Sequence, residues 1–235
     1  MKKQITFYFY IFLFNIFNLT INNIYVAYSF SLYSNNFIAQ DTDNFNKIGE
    51  ALGDLDNDSI PEKVVVYDTN KETEFGTQRK IHIFKKTENS WTLWEKNTGA
   101  VLPSKHGGVW GDPFQEINIE NGAIKIYHFG GSRYKWQYIH QYKYLENDWK
   151  LIEATVEFGA FCDYYETLNY NLITGNIIYK KEEEKCDRAN NINQEKEIVE
   201  SLEFTQKLEQ PPNMNGFYPG NNEIVIPQNN TTIYY

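Results

Sequence analysis

From Lys63 onward the chain alternates apolar and polar residues with a period of two, and each alternating run stops at a turn signal. Lys63–Asp68 carries three consecutive valines, Gln78–Lys85 alternates about Ile81 and Ile83, and Ser90–Glu95 holds Trp91 and Trp94. Gln115–Glu120 and Ala123–Phe129 flank Asn121-Gly122, a dipeptide that suits a two-residue hairpin turn because both residues tolerate positive φ. Tyr134–Tyr144 and Asp148–Phe158 meet at Glu146-Asn147, and a further hairpin is predicted about Thr174-Gly175. No helical period is sustained between residues 60 and 185. The pattern predicts a mainly β fold, an antiparallel meander in one domain, arranged as a twisted sheet, a sandwich or a partial-propeller-like unit.

The ends of the chain read differently. Glu195–Glu209 fits either a last strand around Ile198–Phe204 or a short amphipathic helix. Pro211-Pro212 then ends regular structure, so the β domain is expected over 45–207 and an extended or mobile tail over 208–235. At the other end, Lys2 and Lys3 precede the apolar run Ile5–Phe14, and small residues follow at Ala27 and Ser29. A charged start, an apolar middle and a small-residue exit describe a secretory signal over 1–31, followed by a polar lead-in over 32–44. An uncleaved anchor is the alternative, because the run approaches spanning length, although Asn15, Asn18, Asn22 and Asn23 interrupt it. A secreted or periplasmic protein is expected, with no membrane span once the signal is removed.

Composition sharpens the picture. Aromatic residues make up 17% of the chain, which favours pleated, half-buried surfaces. The formal net charge is −9, and removal of residues 1–31 takes away Lys2 and Lys3 and no acid. That balance excludes a cationic footprint for nucleic acid and suits a protein that attracts cations. The two cysteines, Cys162 and Cys186, lie opposite each other if their hairpin folds about Thr174, so an oxidising compartment would allow a disulfide; two free thiols are the alternative.

The most informative stretch is Gly53-Asp54-Leu55-Asp56-Asn57-Asp58-Ser59-Ile60-Pro61-Glu62, which runs straight into Lys63-Val64-Val65-Val66. Calcium takes several hard oxygen ligands at similar distances, and acids at alternate positions of a tight loop converge on one point. Asp54, Asp56 and Asp58 would give side chains, Ile60 its carbonyl and Glu62 a closing carboxylate. An EF-hand is excluded, because Val65 stands at the twelfth position and a strand follows. The layout resembles the calcium loop of FG-GAP and VCBS-type repeats, found in integrin alpha-subunit propellers and many exported bacterial proteins. Phe45–Gly53 is similar to the approach to that loop, and the likeness spans one repeat, Phe45–Tyr67. It implies a Ca2+ ion that braces the entry to a strand. Ser59 stands where those repeats usually carry glycine. One unrepeated loop does not build a propeller, whose blades need four strands each.

Other constellations are weaker. Ser104–Phe114 is Gly-rich and brings His106, Trp110 and Asp112 close in sequence. It is either a binding niche, a site for a hydrolase acting on a glycan or cell-wall substrate, or a plain connection. It also resembles a segment of a loose group of exported bacterial proteins, a likeness that carries no activity with it. Trp136, Tyr138, His140, Tyr142 and Tyr144 share one strand face, with Trp149, Leu151, Glu153, Thr155 and Glu157 expected opposite them. That face is either core or an acid-edged surface for a glycan or protein ligand. The histidines match no zinc spacing, and with a turn near Gly131 His128 is expected to face Lys135. Lys180–Lys185 reads as a solvated edge. No nucleophile motif is present. The reading is a calcium-stabilised binding or structural module.

Overall fold

Each alternating run is a strand, and the described residues contain no helix. The computed structural model describes residues 45–186 and 194–235, so the expected signal and lead-in lie outside the described residues. Four strands form one sheet in chain order: β1 (Asn46–Gly53), β2 (Glu62–Thr73), β3 (Gly76–Lys86) and β4 (Trp91–Thr98). Seven more form a second, again in chain order: β5 (Phe114–Glu120), β6 (Ala123–Gly131), β7 (Lys135–Leu145), β8 (Asp148–Gly159), β9 (Tyr164–Asn171), β10 (Asn176–Cys186) and β11 (Gln194–Thr205). A short hairpin of β12 (Glu223–Val225) and β13 (Thr232–Tyr234) follows. Every ladder is antiparallel, neither sheet closes into a barrel, and the ambiguous 195–209 region is strand as far as Thr205.

Local chemistry sets the turns. Asn121 and Gly122 have φ of 52° and 72°, and Glu146 and Asn147 of 53° and 63°. Two-residue turns of this hand match the right-handed strand twist. The two sheets meet where β1 lies against β5. A Cβ at Gly49 would come within 2.8 Å of the Phe114 ring, and one at Gly53 within 2.6 Å of Ile119, so only glycine allows this approach. Val64, Val66, Ile81 and Ile83 share one core with Ile124, Ile126, Tyr142, Trp149, Leu151, Leu168, Tyr170, Ile177 and Tyr179. Trp94 of β4 packs on Tyr144 and Trp149 at ring distances of 4.8 and 5.4 Å, which joins the first sheet to the second.

Residues 208–235, expected to trail off, pack into this core instead. The Leu151 amide donates to the Pro212 carbonyl and the Met214 amide to that of Trp149, so the segment takes the ladder place beside the start of β8. It then crosses to the first sheet, where the Ala100 amide donates to Phe217 O at 2.6 Å. Met214, Phe217, Ile224, Ile226, Ile233 and Tyr235 are buried. β11 stops at Thr205, and the order of the chain continues through Pro211-Pro212 because these apolar side chains have a sheet face to cover. The Lys180–Lys185 run is not an edge either. It belongs to β10, between β9 and β11, and Glu184 is buried with its carboxylate accepting from the Cys162 amide.

His128 and His140 are buried on the inner face of the second sheet. His128 pairs with Tyr138 and not with Lys135, because the β6–β7 hairpin turns two residues later than expected. His128 Nε2 accepts from the Leu102 amide, whereas neither ring nitrogen of His140 has a partner in the protein. Burial holds both imidazoles neutral, that of His140 down to about 3.

Two outcomes follow. Phe217→Ala is expected to lower stability by about 3–5 kcal/mol, read from the urea midpoint; an unchanged midpoint would detach the C-terminal segment from the cooperative unit. Both histidine pKa values are depressed on folding, so their neutral forms support the fold fully above about pH 6.5, and that support drains as pH falls, in the case of His140 toward about 3. The slope is at most about 1.4 kcal/mol per pH unit for each histidine, and His140→Leu should remove one histidine's share. Equal slopes in denaturant titrations of wild type and variant would refute this.

Candidate functional site

The aromatic side chains of β7 share one face, as their alternation requires, but their neighbours on β8 are not those expected. The register runs as anticipated through Tyr144↔Trp149 and Tyr142↔Leu151, and then Gln141 pairs with Glu153, leaving Ile152 without a partner on β7. One extra residue moves every later side chain to the opposite face. Ala154, Val156 and Phe158 therefore stand beside His140, Tyr138 and Trp136, and Glu153, Thr155 and Glu157 turn away. The anticipated acid rim is absent from this face. Its carboxylate comes from the next strand, where Glu166 pairs with Phe158.

Along this face the rings pass from core to cleft. Tyr142 is buried, whereas Trp136 and Tyr138 are half-buried and line a groove of about 390 Å³. Val156, Phe158, Tyr164 and Glu166 complete the sheet side, and Thr231–Tyr234 form the opposite wall. The Trp136 and Tyr138 rings stack at 4.9 Å and 27°, and Tyr134 stacks on Phe158 at 5.5 Å and 9°. Burial raises the Tyr138 pKa, so its hydroxyl stays protonated near neutral pH. Glu166 is 8% exposed; its Oε1 accepts from Tyr179 Oη at 2.8 Å and lies 3.8 Å from Lys181 Nζ. That ammonium also sits 4.4 Å over the Tyr164 ring.

The acidic loop joins β1 to β2, which pair from Gly53↔Glu62 upward. Asp54, Asp56 and Asp58 each offer a carboxylate oxygen within 4.8 Å of the others. Asp54 accepts from the amides of Asn57 and Ser59, and Asp58 from that of Ile60. Glu62 is buried and accepts from the Leu55 amide at 2.8 Å, which ties the two ends of the loop together; desolvation raises its pKa. Ile60 is 46% exposed. Ser59 has φ of 69°, a left-handed conformation that costs a side-chain-bearing residue about 1–2 kcal/mol and that glycine would adopt freely. Lys85 of β3 also enters the loop, its Nζ 2.5 Å from Asp56 Oδ2. That hydrogen bond lowers the Asp56 pKa and raises that of Lys85.

The residues of the 104–114 loop go to separate partners. Asp112 receives both terminal nitrogens of Arg79, at 2.6 and 2.5 Å, and also the Phe114 amide. Arg79 is 1% exposed and donates besides to Asp68 and to Leu102 O. Burial opposes its charge, but the two carboxylates outweigh burial and raise its pKa. His106 Nδ1 lies 3.1 Å from Tyr218 Oη with its ring against Phe75, and desolvation lowers its pKa. Trp110 is 54% exposed and meets Phe129. The Gly107–Gly111 stretch is a connection pinned to the β6–β7 hairpin, where the Gly131 amide donates to Gly107 O and the Val109 amide to Gly131 O. Cys162 and Cys186 are bonded, with Cα atoms 5.2 Å apart; the ladder itself ends at Tyr164↔Glu183.

Fold and groove together define an antiparallel all-β domain with an aromatic cleft on one sheet face. The chain matches no family model and no curated protein. The sequence reading missed Phe158, Tyr164 and Glu166, because their place in the groove depends on the bulge at Ile152, and missed Thr231–Tyr234 because that segment was expected to be loose. It also missed Arg79 and Lys85, for which sequence offers no signal beyond an ordinary charge in a strand.

Asp112→Ala leaves the buried Arg79 guanidinium short of its fork. A loss of about 1–3 kcal/mol is expected, less than for a wholly buried pair because Asp112 is half exposed. Thermal or urea unfolding reads it, and a loss below about 0.5 kcal/mol would show the pair to be dispensable.

Proposed function

We propose that this protein is an exported binding module, secreted or periplasmic, which seats its ligand in the aromatic groove and uses a calcium ion in the 54–62 loop as a structural brace. The observation that carries the reading is the groove floored by Trp136, Tyr138 and Phe158 with the buried carboxylate of Glu166 at its side. A concave, mostly apolar cleft with a few fixed polar groups is the usual form of a ligand site. Export is supported by the charged and apolar start of the chain and by the Cys162–Cys186 bond, since disulfides persist in oxidising compartments.

A cation site is supported by the convergence of Asp54, Asp56 and Asp58, and the choice of calcium rests on the likeness of Phe45–Tyr67 to FG-GAP and VCBS-type repeats. In this reading Ile60 adds its carbonyl and Glu62 the oxygen not bonded to Leu55. Lys85 is then a competitor, a tethered cation that partly neutralises the same acids. A hydrolase working through the 104–114 loop draws no support from this geometry, because His106 and Asp112 bond to different partners.

Two measurements test the proposal. Calcium at about a hundredfold over its Kd should add about 2.7 kcal/mol, or about 5–10 °C in Tm, with the gain lost in Asp54→Ala and enlarged in Lys85→Gln. A Tm indifferent to calcium in wild type and in Lys85→Gln alike would sink the brace. For the groove, screening on glycan and peptide arrays should find binding that Trp136→Ala abolishes without lowering Tm by more than a few degrees. Binding that survives this substitution would move the ligand site elsewhere.

A further inference from the structure

We infer that the groove takes a neutral saccharide of one or two rings, its apolar ring face against Trp136 and its hydroxyls on Glu166 and Lys181. This rests on the reading of the groove as the ligand site. Size comes first: about 390 Å³ falls at the small end of the range for small-molecule sites, about 300–1,000 Å³. The walls come second. Trp136, Tyr138, Phe158 and Tyr164 present flat rings, and a pyranose carries C–H bonds on one face and hydroxyls around its rim, so a single ligand can satisfy both an aromatic wall and a polar corner.

Charge decides between ligand classes. Glu166 is the carboxylate that lines the groove, and Lys181 lies 3.8 Å from it, so the corner is balanced before any ligand enters. A cationic ligand would have to displace Lys181 from Glu166 and from its seat over Tyr164, and an anionic ligand would meet Glu166. A wholly apolar ligand is disfavoured for a different reason. Among the described residues, both polar contacts to Glu166 fall on Oε1, so covering the groove with hydrocarbon would desolvate Oε2 with no partner in exchange, at a cost of about 1–3 kcal/mol or more for a charged group. A vicinal diol avoids that loss: one hydroxyl donates to the carboxylate and its neighbour accepts from the ammonium. The hydroxyl-bearing Thr231 and Thr232 stand on the opposite wall, within the same cleft.

The test is calorimetric titration of the full chain with neutral mono- and disaccharides of glucose, galactose and N-acetylglucosamine, alongside neutral proline-rich peptides. Variants Trp136→Ala, Tyr164→Ala and Glu166→Gln are compared at matched Tm, so that a folding defect in one leaves the other two informative. Saccharide binding weakened about tenfold or more by Trp136→Ala or Tyr164→Ala, and likewise by Glu166→Gln, is the expected result. Saccharide binding untouched by all three would overturn the assignment. Peptide binding that depends on Trp136, with no saccharide binding, would overturn the ligand class and leave the groove as the ligand site. No binding by any probe would overturn the saccharide assignment, with the array screen deciding the groove separately.

Discussion

A seven-stranded antiparallel sheet laid down in chain order has one apolar face too long for its partner sheet to cover, and the structure follows from how that face is closed. At the Tyr144 end β4 covers it, with Trp94 packed on Tyr144 and Trp149. In the middle the C-terminal segment covers it, with Phe217 against His140 and Tyr142. At the Trp136 end the cover thins to the wall formed by Thr231–Tyr234, and the face opens into the groove. Core and cleft are thus one continuous surface at different depths. The same row of alternating aromatics supplies core packing at Tyr142 and a candidate ligand wall at Trp136.

Closure also explains the buried polar groups. His128 and His140 occupy inward positions on β6 and β7, and covering the face leaves His140 without a partner in the protein. An imidazole can pass through this environment because it becomes neutral at little cost near neutral pH, which a carboxylate or guanidinium does not. Arg79, buried to the same degree, keeps its charge and is held by two carboxylates from different parts of the chain. Several buried or half-buried cations have a carboxylate within reach: Arg79 with Asp68 and Asp112, Lys85 with Asp56, Lys181 with Glu166. Such pairing limits the desolvation penalty of taking charge out of water. It also means that a ligand in the groove meets a corner where charge is already balanced, whereas in the acidic loop Lys85 offsets only part of the carboxylate charge.

The strands from β2 to β10 were legible because antiparallel pairing with one buried face writes itself as alternation, whereas β1, β12 and β13 were not; Asn121-Gly122 and Glu146-Asn147 marked their hairpins through a need for positive φ. The approach of the two cysteines was legible from the hairpin between them. The acidic loop was legible as a convergence of carboxylates, since three alternate acids on a tight turn have few other arrangements. The edges of these patterns carry less: Pro211-Pro212 ends regular ladder structure in the local signal although the residues beyond pack into the core, and the Lys180–Lys185 charges resemble an edge although they lie in a strand paired on both sides.

The sequence by itself determined the antiparallel all-β class, most strand limits and the local chemistry of turns and loop, because each depends on residues near one another along the chain. Only the tertiary structure decided which aromatics are core and which line a groove, which acid stands among them, and where residues 208–235 go. A single unpaired residue, Ile152, exchanges the two faces of β8, and nothing in a two-residue period records where such a slip falls. Pairings between distant segments, such as Arg79 with Asp112 or Trp149 with Met214, arise from burying shared surface, and local spacing carries no trace of them.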